Sequence, residues 1–431
     1  MPLSIRPALL LLTACATSPT PKPDSAAADP AAGGVTWAKQ LAPVMDARCA
    51  GCHSGPLAPL DLSDWAVVEL IGPSIVDAVE QRRMPPWAFD EAGCRPVPGS
   101  LGLRDDERQL FLDWRAAGYP RGEGPPVAGA PAPTATAPRP PDAELRAAPF
   151  LVDPGTSDPY WCGYLDDPSA AERWLEGAEV LLDDPAISHH AFLYAAPPSA
   201  QPTIDALDAA HPGPGFRCDG GLVMAEGLAM LGGWAPGSPA LYPAAPGAPT
   251  VGVRVPAGSR LVVEMHYNTA AIGAPAEDAP GWRVWEAAGR PAQQLVYLPI
   301  VDADLAIPAG AAGWVESATT RLPVDARLVE TGPHMHGLGR SLRTTLRRPS
   351  GEELCLTGLD GYDFHWQFSY PIEGPGIPVT VEDELTIRCT FDNPGEATVG
   401  WGERTEDEMC LDYLAFLIPT EPDGGEGTCG D

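Results

Sequence analysis

Positive charge is scarce in this chain. Its 431 residues hold 27 Lys and Arg against 58 Asp and Glu, a formal net charge of −31. A nucleic-acid surface needs clustered cations to pair phosphates, and no such cluster occurs, which excludes nucleic acid as a partner. The acidity reads as a solvated surface that keeps the protein soluble. Long apolar runs are missing too. No stretch reaches the ~18 apolar residues of a membrane-crossing helix. No repeat of short fixed period is present. Proline (52) and glycine (46) are abundant instead, which favours short strands, turns and linkers over long helices. The length predicts two or three domains, and a mean hydropathy of −0.09 marks soluble globular material.

The first residues, MPLSIRPALLLLTAC, place Arg6 before the short apolar run Ala8 to Leu12. Leu12-Thr13-Ala14-Cys15 resembles a bacterial lipobox, so residues 1–15 are expected to be a lipoprotein-type signal peptide with Cys15 as the lipidated mature N-terminus. The alternative is a plain signal peptide with an incidental cysteine. Either way the chain is expected outside the cytoplasm. With lipidation it is a membrane-anchored lipoprotein on the periplasmic face or cell surface, touching membrane only through that anchor. Its ten cysteines would then lie where disulfides form.

Composition divides the rest. Residues 16–33 are a Pro/Ala/Ser tether, and residues 34–120 a compact unit. Residues 121–143 form a second Pro/Ala-rich linker without apolar periodicity, long enough for the small unit to visit the large one. A large body spans 144–420, and 421–431 is a polar tail. TWAKQLAPVMDAR has helical apolar spacing, and DDERQLFLDWRAAG has an acidic start and a closing glycine, so the small unit is expected to be all-α. The large body contains SRLVVEMHYNT, AQQLVYLPIV, ARLVETGPHMHG, DELTIRCTFD and DYLAFLIP. These short runs between Pro/Gly turns predict antiparallel strands, in two sandwiches at 144–300 and 301–420.

Cys49-Ala50-Gly51-Cys52-His53 is CxxCH. Two thiols one helical turn apart can bond the haem vinyl groups, and the next residue supplies the proximal imidazole. Met84, followed by Pro85 and Pro86, suits the distal position; ordinary core packing is its alternative. Residues 35–120 resemble c-type cytochromes, which implies a haem c.

Histidine is rare: eight in the chain. His334 and His336 sit in GPHMHGLG, and a strand from Val329 to His336 would project both to one face. His189 and His190 are adjacent at the start of an apolar strand. They can share one metal only where the backbone twists or bulges. His266 ends the strand LVVEMHY, and Asp407-Glu408-Met409-Cys410 precedes the strand LDYLAFLI. His211 and His365 have no assigned role.

The order HH, then xMHY, then HxHxLG, then DEMC over residues 150–420 resembles the type II copper monooxygenases, the family of peptidylglycine alpha-hydroxylating monooxygenase and dopamine beta-monooxygenase. The resemblance implies two successive antiparallel jelly-roll sandwiches, each carrying one copper. His189, His190 and His266 would hold the electron-transfer copper. His334, His336 and Met409 would hold the copper that reacts with O₂ and would be the catalytic set. Three imidazoles serve both copper oxidation states, whereas a thioether favours Cu(I) and disfavours zinc. The resemblance also implies a Cys389–Cys410 disulfide and a substrate-pocket tyrosine at Tyr413. Cys94, Cys162, Cys218, Cys355 and Cys429 are left without an assigned pairing. Gly332 and Pro333 stand where the peptide-amidating enzyme has an arginine, which argues against a peptide carboxylate as substrate. Glu264 stands where that enzyme has a glutamine, and either attracts an amine or faces solvent as a strand carboxylate.

Together these features predict an exported copper-dependent monooxygenase. It would use O₂ and a small organic substrate and store one electron at each of two coppers. An external donor would feed it through the fused haem, or an ascorbate-type reductant would feed it directly. The alternative is a non-catalytic copper-binding or electron-transfer lipoprotein, which needs fewer than two distinct copper environments.

Overall fold

The computed structural model describes residues 34–54, 60–124, 137, 139–155, 159–185, 187–211, 213–218, 222, 227–235, 250–269, 274–402, 404 and 406–420. The signal peptide with Cys15, the tether 16–33, most of the linker, the tail and Cys429 lie outside these residues.

The small unit is helical. A π turn at Trp37–Leu41 leads into the helix Ala42–Arg48, where Pro43 needs no intrahelical donor. Cys49 caps the single turn Ala50–His53. The helix Trp65–Glu80 opens on Asp64, whose carboxylate accepts the Ala66 N–H at 2.9 Å. The helix Asp105–Ala116 carries Asp105, Asp106 and Glu107 in its first turn, matching the positive end of its dipole. Trp37, Leu41, Val68, Val76, Phe111 and Trp114 form the core between them.

The large body is built of strands. A nine-stranded sheet runs through it, with a five-stranded sheet over one part and a four-stranded sheet over another. The first core lies between the nine- and five-stranded sheets. It takes Leu175, Val253 and Trp282 from one and Leu193, Val263 and Tyr267 from the other. The second core joins Leu328, Leu414 and Phe416 to Leu342, Ile387 and Phe391 of the four-stranded sheet. The sheet's middle strands are covered on both faces. On Leu411–Pro419, Leu414 and Phe416 enter the second core while Ala415 enters the first, as the two-residue period of a strand dictates. Gln293–Val301 pairs over its whole length with Leu411–Pro419. At Gln293 and Gln294 it also pairs in parallel with Val251–Val255, so this strand joins the two halves in one sheet.

The small unit is fastened to the body. Phe89 bridges to Leu359, the Asp90 N–H donates to the Gly358 carbonyl at 2.8 Å, and Cys94 is disulfide-bonded to Cys355. The Arg95 guanidinium donates to the carbonyl oxygens of Leu356, Tyr370 and Pro371. Phe89 and Val97 enter the second core. A freely visiting small unit is thus corrected to one pinned at this edge, because the loop after Met84 carries its own apolar anchors and a cysteine. Cys162 is bonded to Cys218 and Cys389 to Cys410. The five unassigned cysteines thus resolve into two bonds plus Cys429. Among the described cysteines only Cys49 and Cys52 are unbonded.

Candidate metal centres and substrate cavity

His189 and His190 open the strand Ser188–Ala196, and His266 lies near the end of Arg260–Tyr267. The two strands pair with His190 opposite His266, and the register slips between Ser188 and His190. That bulge turns His189 to the same side as its neighbour. The Nδ1 atom of His189 lies 3.2 Å from that of His190 and 3.1 Å from that of His266. Such spacings suit nitrogens each bound at ~2.0–2.1 Å to one ion. One ring nitrogen from each of the three lies within 4.8 Å of the other two. Tyr160 stacks on His266 at 4.1 Å between ring centres, and the buried His266 Nε2 has no hydrogen-bond partner. Burial holds His189 down at about 4 and His190 and His266 well below the usual histidine value. The imidazoles are therefore neutral, the form that binds a metal.

His334 ends the strand Ala326–His334. The expected strand to His336 stops two residues short, because the next backbone donors turn to side chains, the Met335 N–H to Tyr362 Oη at 3.1 Å. Glu408 accepts the N–H groups of His336, Leu338 (2.8 Å) and Met409 (2.8 Å). The two rings still face one another, 5.1 Å apart and nearly perpendicular. His334 Nδ1 donates to Gln367 Oε1 at 3.0 Å, and His336 Nδ1 donates to the Asp407 carbonyl at 3.0 Å. Both Nε2 atoms are left as lone-pair donors. Burial, with His336 beside it, pushes His334 down to about 3; burial also lowers His336. Met409 is buried and held near His336 by their shared Glu408 and by the adjoining Cys389–Cys410 bond. Burial pushes Glu408 up to about 7 despite its backbone donors.

Residues 313–426 match the family described as copper type II ascorbate-dependent monooxygenase, C-terminal domain. The matched stretch carries His334, His336, Gln367, Glu408 and Met409. No curated protein matches the chain. Among solved structures, the infectious bursal disease virus VP2 subviral particle is 12% identical, covering 67% of this chain and 76% of that one at TM-score 0.18. The major capsid protein P2 from bacteriophage PM2 is 8% identical over 64% of this chain and 100% of that one, at TM-score 0.24. A Sulfolobus Turreted Icosahedral Virus structure is 7% identical over 65% and 90%, at TM-score 0.25. At these scores the likeness carries no argument.

A cleft open to solvent is lined by residues of both histidine sets, His190 and His334. Phe192, Trp234, Tyr297, Phe368 and Tyr413 supply aromatic walls, and Gly332 and Pro333 add no charge. Glu330 is the one carboxylate among the described lining residues. Burial raises it above the usual range, against a hydrogen bond from Ser369. Sequence reasoning missed Glu330, though it is two residues before Gly332 on the same strand and so on the same face. Tyr413 is in this cleft and Glu264 is not. Glu264 is buried rather than solvent-facing and accepts the Leu222 N–H at 2.6 Å. His211 Nδ1 donates to the Leu207 carbonyl at 3.0 Å at the end of the helix Gln201–Ala209, and His365 is exposed on a loop.

A second, mostly apolar cavity is lined by Cys49, Cys52, His53 and Met84. His53 Nδ1 donates to the Leu60 carbonyl at 3.2 Å, which leaves Nε2 as the free ligand atom. Trp366 and Phe368 of the C-terminal half close the same cavity.

Proposed function

We propose that the chain is an exported monooxygenase with two coppers that hydroxylates a C–H bond of a small substrate, supplied with electrons through a c-type haem. The observation that carries this reading is the cleft lined at once by His190 and His334. A substrate there lies against both imidazole sets, whereas a copper carrier needs no such space. Copper, when bound, supplies one-electron chemistry and reactivity towards O₂. The chain's own groups do the rest. His189, His190 and His266 would hold one ion, and His334, His336 and Met409 the other. Gln367 and the Asp407 carbonyl fix the ring orientations, and Glu408 keeps Met409 beside His336. The aromatic walls exclude water from the reacting C–H bond.

Glu330 at the cavity wall, with aromatic walls around it, favours a substrate with a cationic amino group on an apolar body. Cys49 and Cys52 would carry the haem through thioethers, with His53 and Met84 as axial ligands. The placement of all four around one apolar cavity supports this, as does the fact that Cys49 and Cys52 are unbonded while the other described cysteines are all paired. Those disulfides also support export to an oxidising compartment. The jelly-roll form of the two sandwiches, the lipid anchor at Cys15 and the choice between ascorbate and a redox protein as donor belong to the same proposal.

The test is metal and haem analysis of anaerobically reduced protein, then O₂ uptake against amines, aromatics and peptides. Two coppers, one covalent haem and amine-dependent product support the reading. A single copper at full loading, or no substrate-coupled O₂ uptake, overturns it.

A further inference from the structure

One loop touches both the cytochrome-type cavity and the histidine sets. Residues 361–369 join the strand Glu353–Asp360 to the short strand Tyr370–Pro371. Trp366 and Phe368 line the cavity that holds His53 and Met84. Two residues earlier, the Phe364 ring lies 5.4 Å from the His336 ring, 5.6 Å from His189, and 6.4 Å from both His266 and His334. Gln367, between Trp366 and Phe368, accepts from His334 Nδ1 at 3.0 Å.

The loop is held in shape from several sides. Tyr362 Oη donates to the Met335 carbonyl at 2.7 Å, the Trp366 N–H donates to the Asp363 carbonyl at 3.0 Å, and Gln367 Nε2 donates to the Phe364 carbonyl at 3.2 Å. Trp87, three residues after Met84, packs on Phe368 at 5.6 Å and on Tyr370 at 5.1 Å. The Cys94–Cys355 bond lies on the adjoining strand. Both ends of the loop are therefore fixed against the groups they touch.

We propose that Phe364–Phe368 is the built-in electron path from the haem cavity to the copper ligands, with Trp366 as its entry and Phe364 as its exit. The proposal rests on the haem and copper reading above. Transfer through protein falls steeply with distance, and a single short loop that touches the haem cavity at Trp366 and the histidine rings at Phe364 spans the gap with covalent backbone. A fixed path also removes any need for the small unit to dissociate and search. Each transfer is one electron: ferrous haem becomes ferric as one cupric ion becomes cuprous, with no atom transferred. An external one-electron donor then restores the ferrous haem.

The experiment uses the full chain, matured with haem and loaded with copper. A photogenerated flavin semiquinone reduces the haem, and haem absorbance follows its reoxidation by Cu(II). Phe364→Leu and Trp366→Leu are expected to slow reoxidation by about tenfold, with haem spectrum and copper content unchanged. Phe364→Tyr and Trp366→Phe keep a ring and are expected to keep the rate. Wild-type rates in both leucine variants overturn the path while leaving the haem and copper reading intact. Ring-retaining variants as slow as the leucine ones, or slowing that follows only copper loss, overturn it equally. A mature protein without covalent haem overturns the reading and the path together.

Discussion

Cys94 of the helical unit is disulfide-bonded to Cys355 of the C-terminal half, 261 residues away, with 5.0 Å between their Cα atoms. Because the bond closes so long a loop, its removal frees much unfolded-chain entropy. The Cys94→Ser, Cys355→Ser double variant is expected to lose about 2–5 kcal/mol of stability, read by denaturant unfolding. An unchanged midpoint would mean that Phe89, Arg95 and Val97 alone hold the edge.

Met409 is buried beside His336 through Glu408. Met409→Ala is expected to lower copper content to about one per chain, or to leave a second copper that no longer supports product formation. Loss of product should reach about 10–100-fold or more, the scale seen when metal-site support is removed. His266→Ala should leave the His334 and His336 set loaded while turnover fails. Copper counting and single-turnover product analysis separate the two outcomes. Near-normal product from Met409→Ala would make Met409 a packing residue only.

Glu330 supplies the cavity's carboxylate. Glu330→Gln is expected to lower kcat/KM for a cationic amine by roughly 10–100-fold, as a charge-assisted hydrogen bond of ~1.5–3 kcal/mol is lost. A neutral analogue of the same shape should be affected far less. Equal losses for both substrates would assign Glu330 a structural part.

Asp412 is buried, accepts from Thr344 and Thr357 at 2.7 Å each and from the Gly332 N–H at 2.9 Å, and is pushed up to about 6 by burial. A raised carboxyl is protonated in the fold at a pH where the unfolded chain has lost the proton. Its stabilising contribution is therefore present below about pH 4 and lost as pH rises through about 6. In metal-free protein, Asp412→Asn should show a shallower fall of Tm across that window than wild type. Parallel Tm curves would show that Asp412 does not carry this dependence.

Much of the candidate site was legible because histidine is rare and its spacing carries chemistry. HxH, HH, the histidine after LVVEM, and CxxCH each point to ligation without any structure. The requirement for a twist or bulge at His189 followed from the two-residue period of a strand, and the register slip sits there. Glu330 was not legible, because one glutamate among many acquires meaning only when aromatic walls close around it. Glu408 was quoted within the DEMC segment, but its joining of two distant segments through backbone donors has no sequence pattern. Of the two readings of Glu264, solvent exposure does not hold, since it is buried against the Leu222 N–H; alternation gives the face of a strand but not what covers that face.

Local rules thus settled the helical start, the strand-rich body, the linker composition and the residue types able to hold metal, because periodicity and side-chain chemistry are properties of neighbours in the chain. Tertiary structure alone decided how the parts meet. Only packing brought Cys94 to Cys355 and put His190 and His334 on one cleft. It also set Trp366 of one loop against the cavity of His53 and Met84, and Phe364 of the same loop against the histidine cluster. These are contacts between residues tens to hundreds of positions apart, and they depend on how whole sheets stack.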